Sequence, residues 1–294
     1  MKPATSLILF TVLSGFGFGL LFWLNLGVSS NGKLSELVSF SLAFLISISG
    51  LISSSFHLGN PQRALLAFTQ WRSSWLSREA ILAMLTLLLT FIHAGLIIGF
   101  NRHIYWLGYM TSGFCLLTIF STAMIYTQMK TVPRWNMKIT PVLFLLYGIV
   151  GSSLILDQFL FSFFLFLILG FIQIITWKSG DQQFEKLSSI KTATGLTKTN
   201  TLIRMLEPPH TGSNYLLKEM VNIVAQKHIY KLRIISICLL SLLPAILCLT
   251  NLASDKSYFV MSLAAVLTNI LGTLISRWLF FSEAEHVVGL YYDR

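Results

Sequence analysis

Charge is scarce in this sequence. Only 11% of the 294 residues are Asp, Glu, Lys or Arg, while 54% are hydrophobic. A soluble domain carries about 25% charged residues, so a solvated globular surface is excluded. With a mean hydropathy of +0.73, the chain reads as an integral membrane protein. Cysteine is scarce as well. Cys115, Cys238 and Cys248 all fall inside apolar runs, and none belongs to a CxxC pair. They cannot frame a disulfide scaffold, and an iron–sulfur cluster needs four thiolates at close quarters. Buried, inert thiols are expected. Paired intramembrane histidines are missing too. His93 alone lies well inside an apolar run, whereas haem b between helices takes two axial histidines. A packed, hydrogen-bonded His93 is expected, with no haem, metal or iron–sulfur cluster in the chain. His103 stands in a short polar loop, and His210 and His228 have no metal-ligand spacing around them. No strand precedes Gly15, Gly17 and Gly19, so they are not a nucleotide loop. Gly15 and Gly19, four apart, suit close helix packing.

What remains is apolar length. A spanning helix needs about 20 mostly apolar residues. Eight runs qualify, at roughly 6–28, 37–56, 80–100, 104–127, 140–156, 158–177, 234–253 and 258–281. The fold class is therefore all-α, an integral membrane bundle of eight transmembrane helices. The fifth and sixth runs could be taken for one helix. Their combined length, at ~1.5 Å per residue, would be nearly twice a ~30 Å hydrocarbon core, so two helices and a tight turn fit better. The first run is too long for a signal peptide and lacks a convincing cleavage site, so it is expected to be retained.

The basic residues are distributed unevenly. The N-terminus, the loops 57–79, 128–139 and 178–233, and the C-terminal end hold 18 of the 21 Lys and Arg residues. Leaving out the long loop still gives 9 against 3. The positive-inside rule then predicts cytoplasmic termini and a multi-pass protein of a bacterial inner membrane. The net charge of +10 reads as a membrane-orientation signal, with no nucleic-acid partner. Within the basic loop 178–233, residues 214–233 place apolar positions at helical spacing with basic residues between them. They read as an amphipathic helix on the bilayer or against a partner.

The densest chemistry lies between the second and third runs, in SSSFHLGNPQRALLAFTQWRSSWLSREA from Ser53 to Ala80. His57 and Glu79 stand at the mouths of adjacent helices, with Arg63, Arg72 and Arg78 nearby. A histidine and a carboxylate at the edge of an apolar pocket suit proton transfer with a small hydroxylated ring such as a quinol, which releases two protons with two electrons. The plainer reading is a set of interfacial polar side chains, with arginines snorkelling to the headgroups. Two other polar groups fall on the same side. One is Arg134 and Trp135 in the loop 128–139; the other is Arg277, Glu283, Glu285 and His286 at the end of the eighth run. Charges near the midplane are almost absent, and no pair of broken helices marks a transport site. A secondary transporter is thereby disfavoured; against the other alternative, an anchor with no quinol site, stands the pair His57 and Glu79.

HLGNPQRA followed by SWLSREA resembles the motif pair of the membrane anchor subunit of dimethyl sulfoxide reductase, the DmsC family. TVPRWNMKITPVLF (131–144) and ISRWLFFSEAEHVVGL (275–290) agree with it in order and spacing. The resemblance implies an eight-helix anchor without cofactors of its own. Such an anchor holds an iron–sulfur subunit and a molybdopterin catalytic subunit to the bilayer and oxidises menaquinol in anaerobic respiration. It also implies that His57 and Glu79 are the reacting pair, with Arg63 and Arg78 beside them in the quinol pocket. Arg72, Arg134, Trp135, Arg277 and His286 are then expected to dock the iron–sulfur partner. The family's topology puts the termini outside, against the charge bias, and the bias is followed here.

Overall fold

Apolar length becomes helix throughout the computed structural model. It describes residues 3–27, 32–56, 60–156, 158–187, 190–195, 203, 206–207, 228–253 and 258–292. His57 and residues 214–227 of the expected amphipathic helix lie outside these. Among the described residues, seven helices are long and apolar enough to cross a membrane: α1 (Thr5–Asn25), α2 (Lys33–Ser55), α3 (Trp75–Phe100), α4 (Tyr105–Thr127), α6 (Phe159–Leu187), α7 (Ile229–Ala253) and α8 (Tyr258–Ser282). A shorter apolar helix, α5 (Ile139–Ser152), continues as a 3-10 turn over Ser153–Leu156. With rises of ~1.5 and ~2.0 Å per residue, the two together reach about 29 Å, close to the ~30 Å of a hydrocarbon core.

The boundaries differ from the apolar runs where charges have partners. α3 begins at Trp75 and takes Arg78 and Glu79 into its first turns. α6 runs on past Lys178 and Asp181 to Leu187, and α7 starts at Ile229, taking in Lys231 and Arg233. A charge ends a spanning run on a hydropathy scale. It does not end a helix whose charged side chains are paired.

α1 sits at the centre and packs on α2, α4 and α5. Small residues set these contacts. A Cβ at Gly19 would collide with the Gly148 carbonyl of α5, and one at Gly148 with the Gly15 carbonyl. On the other flank, Gly17 meets Ser47 and Gly50 meets Ser14, both between α1 and α2. One apolar core surrounds α1, with Phe18, Leu21, Phe40, Ile97 and Ile119 buried in it. A second joins α5 to α8 through Val150, Phe166, Leu169, Leu240 and Ala265. In contrast, Leu34, Val38, Leu42 and Leu45 of α2 are exposed, as a lipid-facing surface requires.

α7 carries a π-helical turn over Cys238–Leu242, just before Pro244. Proline has no N–H to give to the carbonyl four residues back. The freed Leu240 carbonyl is taken by Asn269 Nδ2 of α8 at 2.8 Å, while Ser241 Oγ donates to the Phe166 carbonyl at 2.7 Å. His93 packs as expected, 2% exposed, with Nδ1 2.8 Å from Asn25 Oδ1. Cys115 and Cys248 are buried and Cys238 is half-buried, all as free thiols.

Candidate functional site

The starts of α1, α3, α5 and α7 and the ends of α2, α4, α6 and α8 meet at one end of the bundle, and two polar groupings form there. The first is built around Glu79. Counting from Trp75, this residue lies about 6 Å along α3, one turn inside the helix end. Its carboxyl is buried, 4% exposed, and forms part of the wall of a cavity of about 340 Å³. Most of the wall is apolar: Leu7 and Phe10 of α1, Leu51 of α2, Ala83 of α3 and Ile125 of α4. Ser54, Ser55, Glu79 and Tyr126 supply the polar groups. The lining residues Phe68, Leu76 and Met84 are exposed, so the cavity opens at the bundle surface beside α3. The 3-10 helix Pro61–Phe68 contributes Ala67 and Phe68 to the wall.

Thr122 of α4 donates to Glu79. Four residues on, and therefore one turn along the same face, Tyr126 lies within electrostatic range of Glu79. Its ring is held edge-on by Trp135, Phe280 and Phe281 at 5.4–5.6 Å. Trp135 stacks on Phe280 at 5.5 Å and donates Nε1–H to the Phe280 carbonyl at 2.9 Å. The loop 128–138 is thereby pinned to the end of α8, with a further bond from Val287 N to the Thr131 carbonyl at 3.0 Å.

The second grouping is ionic. Arg233 grips two carboxylates, Asp181 at 2.7 and 2.8 Å and Glu283 at 2.8 and 2.9 Å. Arg134 bonds Asp181 at 2.7 Å and pairs with Glu283. Two guanidiniums and two carboxylates thus tie together loop 128–138, α6, α7 and the end of α8. Arg277, one turn and a half back along α8, is outside that network. It is 1% exposed, with its guanidinium 3.5 Å above the Phe144 ring and 4.4 Å from the Tyr147 ring.

The structure separates the side chains that the sequence grouped. Glu79 lines the cavity. Arg78 turns away from it, with Nε and Nη2 donating to the Trp71 and Arg72 carbonyls at 2.8 and 2.7 Å and the guanidinium 4.4 Å over Trp75. Arg78 therefore ties the turn before α3 to the helix and makes no contact with the Glu79 carboxylate. Arg63 has its backbone in the 3-10 helix, and its side chain lies outside the described parts, as does all of His57. Arg72 is exposed beside Trp71. Trp135 and Arg277 are both buried, behind the bundle face at this end. His286 is half-buried at that face, where Nδ1 accepts the Val288 N–H at 3.1 Å; burial pushes its pKa down. Thr122 and Tyr126 were not singled out in the sequence. The available signal was a polar stripe at fourfold spacing, Thr118–Thr122–Tyr126, on one face of an apolar helix. Among the described residues, no three His, Cys, Asp or Glu side chains are close enough to share a metal.

Apolar helices, a buried carboxyl in an apolar cavity open at the bundle surface, and an ion cluster at the same end define an integral membrane subunit. Residues 1–282 match the family described as DMSO reductase anchor subunit (DmsC). The chain belongs to that family, as a multi-pass membrane anchor subunit of an oxidoreductase complex. It is also similar to a sulfite dehydrogenase subunit from Allochromatium vinosum, 26% identical over 330 residues that take in 100% of this chain and 99% of that protein. No solved structure matches it.

Proposed function

We propose that this anchor binds menaquinol in the Glu79 cavity, oxidises it, and passes the two electrons to an iron–sulfur subunit that serves a molybdopterin catalytic subunit in anaerobic respiration. The observation that carries the reading is Glu79 itself: a buried carboxyl with one hydroxyl donor in the wall of a mostly apolar cavity. Burying such a group costs several kcal/mol unless it is neutral or paired, so packing does not explain its presence. The cavity volume of about 340 Å³ lies within the ~300–1,000 Å³ of ligand pockets. It has room for a two-ring head group, and the polyprenyl tail would leave past Leu76 and Met84 into lipid.

In the reaction, menaquinol loses two electrons and two protons and becomes menaquinone. Glu79 accepts one proton and His57, from the connection that follows α2, the other. Arg78 holds the turn that leads into α3, and Arg63, with its backbone in the 3-10 helix, is proposed as a further residue of the quinol site. The partner docks on the same end of the bundle, over Arg72, Arg134 and His286, with Trp135 and Arg277 beneath. The name of the relative, sulfite dehydrogenase, supports the reverse direction as a second reading, in which electrons enter the anchor and the same groups give protons to a reduced quinone.

The experiment is Glu79→Gln and His57→Gln in membranes holding the assembled complex, assayed with reduced menaquinone analogue as donor. Loss of quinol-driven turnover with the complex intact is the expected outcome. Unchanged turnover would remove the site.

A further inference from the structure

The charges at this end of the bundle do not balance locally. Arg134 and Arg233 are matched by Asp181 and Glu283. Among the described residues, Glu79 and Arg277 are the buried carboxyl and the buried guanidinium that no ion pair holds. Arg277 also leaves two donors, Nε and Nη1, buried without a partner. Buried donors in folded proteins find partners, and internal water is the usual one when no side chain serves.

Space for water lies on both flanks of Arg277. A cavity of about 10 Å³ is lined by Arg277, Thr122, Thr11 and Ser14 among others. One of about 20 Å³ is lined by Arg277, Ser276, Tyr147, Gln173 and Glu283 among others. A single water needs about 10–15 Å³ and two to four polar partners, and both cavities provide this. The smaller one has in its wall Thr122, the residue that donates to Glu79.

We infer that Arg277 is the counter-charge of ionised Glu79, joined to it through Thr122 and one internal water. This rests on the proposed role of Glu79 as proton acceptor. Arg277 touches neither quinol nor Glu79 and is a positioning residue. Its fixed positive charge favours the carboxylate form, the form that can take a proton. When Glu79 is protonated, the guanidinium keeps its stacking on Phe144 and its water, so the pair can be broken and remade at each turnover. The polar and charged side chains around Glu79 are Thr122 and Tyr126 from α4, Ser54 and Ser55 from α2 and, across the water, Arg277 from α8; His57 follows α2.

The test uses the full chain in its complex. The infrared carbonyl band of protonated Glu79 is identified as the band absent from Glu79→Gln. At one neutral pH, Arg277→Gln is expected to raise that band over the wild type and to lower quinol-driven kcat about tenfold, matching a one-decade change in the proton affinity of the carboxylate, with KM unchanged. Arg277→Lys, which keeps the charge, is expected to restore both. An unchanged band in Arg277→Gln, or Arg277→Lys behaving like Arg277→Gln, overturns the pairing. If Arg277→Gln accumulates poorly, the double variant Glu79→Gln/Arg277→Gln decides. Coupled charges make its thermal midpoint higher than the sum of the two single-variant shifts predicts, and additive shifts reject the pair. If Glu79→Gln itself keeps full quinol turnover, the quinol site fails. If it is inactive while Arg277→Gln matches the wild type in band and rate, only this inference fails.

Discussion

Two acidic side chains at the same end of the bundle live under opposite rules. Glu283 is buried and paired with two guanidiniums. Glu79 is equally buried, receives one hydroxyl hydrogen bond, and forms part of a cavity wall. The first arrangement holds loop 128–138, α6, α7 and α8 together. The second holds nothing together directly, since a buried carboxyl with no cation bonded to it in a mostly apolar wall is a cost to folding. The lesson is that burial of an acid is not the functional signal. Burial without compensation, beside a space that a ligand can enter, is.

The sharpest break of this comparison is to neutralise each acid. Glu79→Gln keeps the shape and removes the charge, and quinol-driven turnover should fall about 10²–10⁴-fold, the usual contribution of a positioned proton acceptor. The thermal midpoint of the assembled complex should hold or rise. Glu283→Ala should do the reverse. Stripping one partner from a buried ion network costs about 3–5 kcal/mol, so the chain should melt earlier or accumulate less, while the fraction that assembles retains turnover. Both are read from one set of membranes, by thermal aggregation and by donor oxidation.

A smaller effect is expected at the α1–α5 contact, which both regions depend on. Gly19→Ala places a methyl group against the Gly148 carbonyl. The overpacking should cost about 1–3 kcal/mol, seen as a lowered thermal midpoint with the same KM for quinol. The smallest effect is at His286. Its pKa is lowered from the ordinary 6.5 by burial, so the folded state binds this proton less readily than the unfolded chain. This group leaves stability unaffected above about pH 6.5, lowers it as the pH falls from there to the folded pKa, and adds no further loss below that. His286→Gln should lessen the acid sensitivity of the contact between the end of α8 and loop 128–138, followed by hydrogen exchange at pH 7 and pH 5.

Much of this was legible in the sequence. Seven of the eight apolar runs coincide with helices long enough to span among the described residues, because a bilayer forces all backbone polar groups into internal hydrogen bonds. The Gly15–Gly19 spacing announced the close packing of α1. Glu79 stood out as a carboxylate at a helix mouth. Other features were hidden for a physical reason. Thr122 bonds Glu79 from the neighbouring helix and Tyr126 shares its cavity, and one sequence does not carry that proximity. The network of Asp181, Arg233 and Glu283 was hidden because their pairing exists only once α6, α7 and α8 stand side by side. Trp135 and Arg277 read as interfacial because aromatic and basic residues at helix ends usually face headgroups; here they fill the space between helices.

The most direct measurement is photolabelling of the assembled complex in native membranes with an azido-naphthoquinone, followed by peptide mapping. The account predicts label on the α1 segment around Leu7 and Phe10 and on the start of α3 around Leu76 to Met84, lost when menaquinone is added in excess. Label elsewhere in the bundle, or label at these residues that excess menaquinone does not displace, would contradict it.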